Sequence, residues 1–369
     1  MNINFKFAIA SDLHIALPET IDNNNSRFHL VEVSIPVLEF VLARLSQLDI
    51  DFLLLPGDLT QHGEAANHAW LAYRLAQLPF PVYVVPGNHD VPVIQADARS
   101  IAAAEFPSYY RAFGYDNSDK LYYTRTVLPG VRLIGLNSNQ FDELARQKSA
   151  GYLDDEQFNW LKEVLAKADE PVILVMVHHN VIEHLPGQSH HPLGKRYMLE
   201  NATALLSLLR EAGVSLVFTG HLHVQDVASE GGIYDITTGS LVSYPHPYRI
   251  LQFQIDEQGR KSLQIQSYHV QSVPGWPMLA QTSREWIGER SRNFMLRLLL
   301  EPPLNLPLTQ AEPLVSKLRY FWADIAAGDA LFDFPDFPPP VRRYFQAFGA
   351  LSSDRTFPAF IDNHTTLLL

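Results

Sequence analysis

The sequence lacks cysteine entirely among its 369 residues. This absence excludes disulfide bonds and thiolate metal sites. Any metal ligand must therefore be a carboxylate, an imidazole or an amide, and a metal site would consist of oxygen and nitrogen atoms.

Long apolar runs are also missing, and no uninterrupted stretch reaches the length that spans a bilayer. Residues 1–10 lead directly into a strand-like pattern, without a basic segment and a long apolar segment of the kind that directs secretion. We therefore expect no membrane partner and a cytoplasmic location.

Basic residues are outnumbered by acidic ones, and the net charge is −12. Because this charge repels a polyphosphate backbone, we expect no stable complex with nucleic acid.

The residues that are present predict a folded protein with two units. Hydrophobic residues make up 47% of the chain and charged residues 18%, which is enough to bury a core. The chain is also longer than the roughly 100–200 residues of an ordinary domain. We place the boundary near residue 272, before a Pro-Gly-Trp-Pro segment, and predict domains at residues 1–272 and 273–369.

In the first unit, short apolar runs alternate with segments of helical period. The runs predict buried strands at residues 5–10, 52–55, 82–85, 131–136, 172–177 and 216–218. The segments between them predict helices at residues 37–48, 65–78, 154–168 and 201–212. This alternation is typical of the α/β class. Two later runs, residues 248–255 and 261–268, predict antiparallel strands that close the unit.

The second unit predicts a mainly helical tail. Helical patterns cover residues 283–300 and 311–327, and Pro-rich stretches interrupt the chain at residues 302–307 and 334–340. We expect this tail to pack on the first unit, to act as a lid or to form a homodimer. Its stripe of large apolar side chains is predicted to be a packing surface rather than a binding site, and comprises Trp286, Phe294, Leu296 and Leu299.

Five short polar motifs directly follow predicted strands. They are Asp12-Leu13-His14, Gly57-Asp58, Gly87-Asn88-His89-Asp90, His178-His179 and Gly220-His221-Leu222-His223. Ligands of open α/β sheets bind beyond the carboxyl ends of the strands, so these side chains can converge although they are far apart in sequence. We expect Asp12 and His14 to point the same way from an extended segment. The two carboxylate oxygens of Asp58 suit it to bridge two cations.

In this order the motifs resemble the signature of the calcineurin-like metallophosphoesterase superfamily, which is D-x-H, G-D, G-N-H-D/E, H and G-H-x-H. The resemblance covers residues 8–223. The Gly-Asp-Leu-Thr and Gly-Asn-His-Asp forms, with the later Thr238-Gly239-Ser240, resemble the bacterial branch of class III cyclic nucleotide phosphodiesterases and glycerophosphodiesterases. The resemblance implies a four-layer α/β/β/α sandwich, which the helical tail would follow.

The resemblance also implies two divalent metal ions, with Mn or Fe favoured and Zn as a further candidate. Its ligand sets are Asp12, His14, Asp58 and His223 for one ion, and Asp58, Asn88, His178 and His221 for the other. His89 would contact the phosphate and protonate the leaving oxygen, while Asp90 would orient His89. A hydroxide held between the two metals would be the nucleophile.

Some assignments stay open at this point. His179 is the alternative ligand to His178. Asn88 and His89 are expected to contact the substrate, and both His179 and His191 are further candidates for substrate contact. The remaining histidines of interest are predicted to be solvated loop or helix residues, and these are His62, His68, His184 and His190.

The favoured reaction is hydrolysis of a small phosphodiester, with cyclic nucleotides first among the substrates. The alternatives are a phosphomonoesterase, a glycerophosphodiesterase and a non-catalytic scaffold that keeps its metals. The acidic charge disfavours a nuclease of long nucleic acids.

Overall fold

The computed structural model describes residues 3–22, 27–116, 118–350 and 359–369. The strands in these ranges are β1 Ile3–Ile9, β2 Phe52–Leu55, β3 Val82–Val84, β4 Tyr123–Leu128, β5 Val131–Gly135, β6 Val172–Met176, β7 Leu216–Thr219, β8 Asp226–Glu230, β9 Ile233–Thr237, β10 Pro247–Ile255, β11 Lys261–His269 and β12 His364–Leu368. The helices are α1 Ser34–Leu45, α2 Ala65–Leu75, α3 Phe106–Tyr109, α4 Asp155–Lys167, α5 Pro192–Lys195, α6 Ala202–Glu211, α7 Leu279–Arg290, α8 Arg292–Leu300, α9 Leu308–Val315, α10 Phe321–Ala327 and α11 Pro339–Gln346.

The strands form two six-stranded sheets. The strand order is β12-β11-β10-β1-β2-β3 in the first sheet and β4-β5-β6-β7-β9-β8 in the second. Neighbouring strands are parallel along β1-β2-β3 and along β5-β6-β7-β9. The carboxyl ends of these parallel strands therefore meet at one edge of each sheet, which is where α/β proteins place their ligands.

The two sheets pack face to face, and side-chain alternation assigns each strand residue to a layer. In β6, Leu174 and Met176 belong to the core between the sheets, whereas Val175 packs with residues of α4 and α6. Phe7 of β1 meets Phe218 of β7 across this core, with ring centroids 5.5 Å apart. Residues of α1 and α2 belong to the same apolar cluster as this core and cover the first sheet. The predicted α/β/β/α sandwich is thus confirmed.

The predicted strands and helices of the sandwich lie within three residues of the observed ones. The tail differs more. Each of its two predicted helices is broken, the first at Ser291 between α7 and α8, and the second by a 3₁₀ turn at Ser316–Leu318 between α9 and α10. The Ser291 hydroxyl donates a hydrogen bond to the Arg319 carbonyl, 2.8 Å away, and this bond joins the two breaks.

The tail also contributes a strand to the first sheet. β12 pairs with β11 in antiparallel fashion, with Leu367 opposite Leu263, and extends the first sheet at its edge. Helices α8 to α11 contribute to a third apolar cluster, which also contains Leu222 and Val224 of the sandwich. The boundary near residue 272 stays a prediction, but the chain beyond it is not wholly helical. None of the helices in the described part of the chain is long and apolar enough to cross a bilayer.

Candidate metal centre

The loops that follow β1, β2, β3, β6 and β7 bring the predicted ligands together. The first group consists of Asp12, His14, Asp58 and His223, whose potential ligand atoms all lie within 4.8 Å of one another. His223 Nε2 lies 3.2 Å from Asp12 Oδ1 and 3.3 Å from His14 Nε2. This set offers two carboxylates and two imidazoles to one cation.

The second group shares Asp58 with the first. Potential ligand atoms of Asp58, His178 and His221 also lie within 4.8 Å of one another. His178 Nε2 is 3.3 Å from Asp58 Oδ2, 3.1 Å from His221 Nδ1 and 3.2 Å from Asn88 Oδ1. Asp58 belongs to both groups, so the structure brings all seven predicted ligands together with this carboxylate between the two sets.

The backbone at these residues is unusual. Asp12, His14, Asp58, His221 and His223 all have positive φ angles, between 43° and 66°. Non-glycine residues rarely adopt this conformation, which costs on the order of 1–3 kcal/mol each and is concentrated at functional sites. The expectation that Asp12 and His14 project from an extended segment is wrong, because left-handed turns direct both side chains toward the cluster.

Two glycines permit the close approach of the loops. A Cβ atom added at Gly87 would lie 2.2 Å from Asp58 Oδ1, and one added at Gly220 would lie 2.5 Å from Asp12 Oδ2. Both distances are far inside van der Waals contact, so a side chain at either position would displace a predicted ligand. The glycines that precede Asn88 and His221 are therefore needed for the geometry of the site.

The charge states in the cluster suit cation binding. Burial lowers the pKa of His14 and of His221 well below the ordinary value, and neighbouring histidines add to the effect. Burial acts to raise the pKa of Asp58, but His178 outweighs it together with other histidines and holds that pKa well below its usual range. Neutral imidazoles and an ionised carboxylate are the forms that bind metal ions, so His14, His221 and Asp58 suit cation binding. Burial acts to lower the pKa of His178, but Asp58 outweighs it and raises that pKa to about 9, so a metal ion at His178 would displace a proton. The carboxylate and imidazole donors as a set fit two divalent cations.

His89 borders the same site. Its backbone N–H donates to Asp58 Oδ1 at 2.8 Å, and its Nδ1 lies 2.6 Å from the Gln61 carbonyl oxygen. Since a carbonyl can only accept, Nδ1 carries the proton and Nε2 is left for the cavity that His89 lines. His89 is thus placed to act on a substrate without occupying a ligand position.

Asp90 does not contact the His89 ring. Its carboxylate accepts hydrogen bonds from the backbone N–H groups of Leu59, Thr60 and Gly87, at 3.1, 2.8 and 2.8 Å. Burial and the nearby Asp58 raise the pKa of Asp90 to about 7. The predicted role of Asp90 in orienting His89 is therefore wrong as a direct contact. Asp90 instead fastens together the loops that carry Asp58 and Asn88.

The structure places His178, and not His179, among the candidate ligands. His179 is buried behind His221, with ring centroids 4.3 Å apart, and its Nδ1 lies 2.7 Å from Ser138 Oγ. His191 accepts a hydrogen bond from Leu193 N at the start of α5. Neither residue is among the described residues that line the cavity, so the structure gives no support to the candidate substrate contacts at His179 and His191, which stay predictions.

Two histidines predicted to be solvated are buried. His68 lies against Tyr110 Oη at 2.9 Å and has its pKa lowered by burial to about 4. The side chain of His184 is fully buried between Asp226 and Asp235. Their partners are distant in sequence, which is why composition alone misjudged them. His62 does lie at the cavity, and His190 is exposed as predicted.

A cavity of about 460 Å³ opens above the cluster. Sequence reasoning missed part of its lining, which includes His29, Arg196, Tyr197, Phe294 and Trp322. The His29 ring stacks on His14, with centroids 4.4 Å apart. A lone histidine in an irregular loop gave no signal, whereas Phe294 was noticed in the sequence and assigned to packing.

Comparisons with known proteins agree with this geometry. A model of the calcineurin-like phosphoesterase family matches residues 5–225. A probable cyclic nucleotide phosphodiesterase of Vesicomyosocius okutanii subsp. Calyptogena okutanii is 24% identical over 226 residues, which are 60% of this chain and 79% of that protein. A probable glycerophosphodiester phosphodiesterase GpdQ of Arcobacter nitrofigilis is 29% identical over 143 residues, covering 38% of this chain and less than half, 46%, of that protein.

A solved structure supports the fold. The chain resembles a dimetal phosphatase from Danio rerio with a TM-score of 0.51 at 16% identity, over 72% of this chain and 96% of that one. The matched family model ends just after His223, so it includes all seven candidate ligands and does not reach the helical tail.

Proposed function

Because the chain belongs to the calcineurin-like phosphoesterase family, whose model matches more than half of its length, we propose that it hydrolyses a small phosphodiester with the help of two divalent metal ions. A cyclic nucleotide is the favoured substrate. The observation that carries the proposal is the position of Asp58 between two groups of ligand atoms at the base of a cavity.

Asp12, His14, Asp58 and His223 would hold one ion, and Asp58, Asn88, His178 and His221 the other. Two ions held in this way would acidify a water molecule and neutralise negative charge on the phosphoryl oxygens. Asp90 would maintain the spacing between the Asp58 and Asn88 loops. His89, whose Nδ1–H is fixed by the Gln61 carbonyl, would contact the phosphate through Nε2. With a second proton on Nε2, the ring would donate that proton to the leaving oxygen.

The size of the cavity and the net charge of the chain support a small substrate. A cavity of about 460 Å³ is in the range of small-molecule sites, which is roughly 300–1,000 Å³. The net charge of −12 disfavours a long polyanion. The two relatives are named for cyclic nucleotides and for glycerophosphodiesters, so glycerophosphodiester hydrolysis is the second candidate. The identity of the metals, a homodimer and a cytoplasmic location stay predictions.

Hydrolysis of a matched panel by manganese-reconstituted protein tests the proposal. The panel contains 3′,5′-cyclic AMP, 2′,3′-cyclic AMP, a glycerophosphodiester, a bis-aryl phosphodiester and the corresponding aryl monoester, each with a chelator control. Chelator-sensitive cleavage of cyclic nucleotides is expected. Turnover of the monoester alone would replace the proposal with a phosphatase, and inactivity with two bound metals would contradict hydrolysis of this substrate class.

A further inference from the structure

Part of the cavity wall belongs to the helical tail. Phe294 on α8 and Trp322 on α10 both line the cavity, and their rings meet edge to face with centroids 5.3 Å apart. Each is half-buried and adjoins a buried residue of the tail core, Met295 and Phe321 respectively. The two rings therefore pack against the tail core on one side and present aromatic surface to the cavity on the other.

This aromatic pair is fixed relative to the candidate metal ligands. Leu222, between His221 and His223, belongs to the same apolar cluster as Met295 and Phe321. A backbone hydrogen bond of 3.1 Å also runs from Gln225 N to the Ala326 carbonyl in α10. Because the tail packs on the ligand loop itself, the aromatic surface has a defined position relative to the place where a phosphate would bind.

The tail also supports another part of the wall. Trp286 Nε1 on α7 donates a hydrogen bond of 3.1 Å to the Arg27 carbonyl, and this loop continues into His29 at the cavity. At the rim, the Arg196 guanidinium lies 4.6 Å from the centroid of the Tyr197 ring. Aromatic faces together with a guanidinium group suit a planar π system, which stacks on both.

We propose that Phe294 and Trp322 form a recognition subsite for the base of a nucleotide, at a cavity whose metal centre cleaves the attached phosphodiester. The inference rests on the proposed function and adds the part of the molecule that chooses the substrate. A glycerol ester carries no planar group, so the subsite favours nucleotide phosphodiesters over glycerophosphodiesters. The tail is then a specificity element, and the sandwich supplies the chemistry.

The test compares two ligands that differ only in the base, 3′,5′-cyclic AMP and the 3′,5′-cyclic phosphate of 1-O-methylribose. Their dissociation constants are measured by calorimetry on chelator-treated full-length protein, and their kcat/KM values on manganese-loaded protein. Phe294→Ala and Trp322→Ala are each expected to weaken binding of cyclic AMP about tenfold, because each removes an aromatic face on which the base stacks. Binding of the base-free ligand should not change.

Two further variants separate recognition from folding. Trp322→Phe keeps an aromatic face and is expected to retain most of the affinity for cyclic AMP. Tyr73→Ala removes an exposed aromatic side chain of α2, outside the cavity, and should behave as wild type. Equal losses on both ligands, accompanied by a lower Tm, would show a structural role and overturn the inference.

The outcome also separates this inference from the proposed function. If wild-type protein cleaves phosphodiesters but the alanine variants treat both ligands as wild type does, the subsite is disproved and the proposed reaction stands. If no ligand is cleaved but the alanine variants lose binding of cyclic AMP alone, the subsite stands and the proposed reaction fails. Absence of both binding and cleavage overturns both.

Discussion

The contacts of His89 are compatible with the proposed role of a catalytic residue that does not bind metal. Its Nδ1 is committed to the Gln61 carbonyl, and its backbone N–H binds Asp58 Oδ1. His89→Ala should keep that backbone contact, so we expect unchanged metal content by mass spectrometry. The kcat with the best substrate of the panel should fall by roughly 10²–10⁴, the range of general acid–base catalysis.

The matched control for this variant is His62→Ala. His62 lines the same cavity, with its ring centroid 5.8 Å from that of His89, but has no role in the proposed reaction. His62→Ala should retain a kcat within a few-fold of that of wild type. Loss of metal from His89→Ala would identify this histidine as a ligand and contradict its assignment.

At the residue scale, the order of the motifs and the family resemblance that they carry were enough to name the candidate ligands. Each lies directly after a strand whose end is fixed by the sheet, as with Asp58 after β2 and His221 after β7. Side-chain direction was harder to predict, because it depends on left-handed turns and on long-range contacts. Asp90 shows this limit: its sequence position beside His89 suggested a side-chain contact, yet its carboxylate binds backbone amides instead.

At the scale of elements, a buried ion-pair network joins the loop after β6 to the second sheet. His184 Nδ1 lies 2.6 Å from Asp226 Oδ2 in β8, and its Nε2 lies 3.2 Å from Asp235 Oδ2 in β9. Among the described residues His184 Nε2 makes no hydrogen bond, so its contact with Asp235 is a charge interaction only. Asp235 Oδ2 also accepts from Val181 N at 2.7 Å. The network holds this loop against the sheet edge.

This network predicts a pH dependence of stability. Burial acts to lower the pKa of His184, but Asp235 and Asp226 outweigh it and raise the pKa to about 10. A raised pKa means that the folded state binds the proton more tightly than the unfolded state does, where the ordinary value is about 6.5. The contribution of protonated His184 to the free energy of unfolding is therefore complete below about pH 6.5 and is lost as the pH rises toward 10.

Urea unfolding between pH 6 and pH 10 measures this effect. The free energy of unfolding of His184→Gln should be lower than that of wild type by about 3–5 kcal/mol at pH 6, because a buried ion pair loses one partner. The difference should shrink as the pH rises, since wild type then loses its own stabilisation. His190→Gln, on the same loop but exposed, is the control. A constant difference across this range would contradict a protonated His184.

Elements with a strong period were predictable, and those that depend on distant partners were not. β6 is a continuous run of large apolar residues, Val172–Met176, so its boundaries follow from the sequence. The short β12 at the chain end forms by pairing with β11, and nothing local shows that this segment returns to the sheet. The break at Ser291 likewise depends on the Arg319 carbonyl of another segment.

At the scale of the whole molecule, the candidate ligands come from both sheets. Asp12, Asp58 and Asn88 follow strands of the first sheet, while His178 and the His221–His223 pair follow strands of the second. Ions bound between these loops would link the two halves of the sandwich. Binding to the folded state alone stabilises a protein by about 2.7 kcal/mol per site when the free metal concentration is 100 times the dissociation constant.

We therefore expect manganese to raise the Tm by several degrees and a chelator to reverse the shift. Asp58→Ala tests the origin of this effect, because Asp58 is the one residue shared by both ligand groups in the described part of the chain. This variant should lose the two-ion stoichiometry and most of the manganese-dependent rise in Tm. The metal-free forms of the variant and of wild type are compared as well, because the substitution also removes the ionic contacts of Asp58 with His14 and His178. An unchanged stoichiometry of two ions in Asp58→Ala would disprove the bridging role and require two separate metal sites.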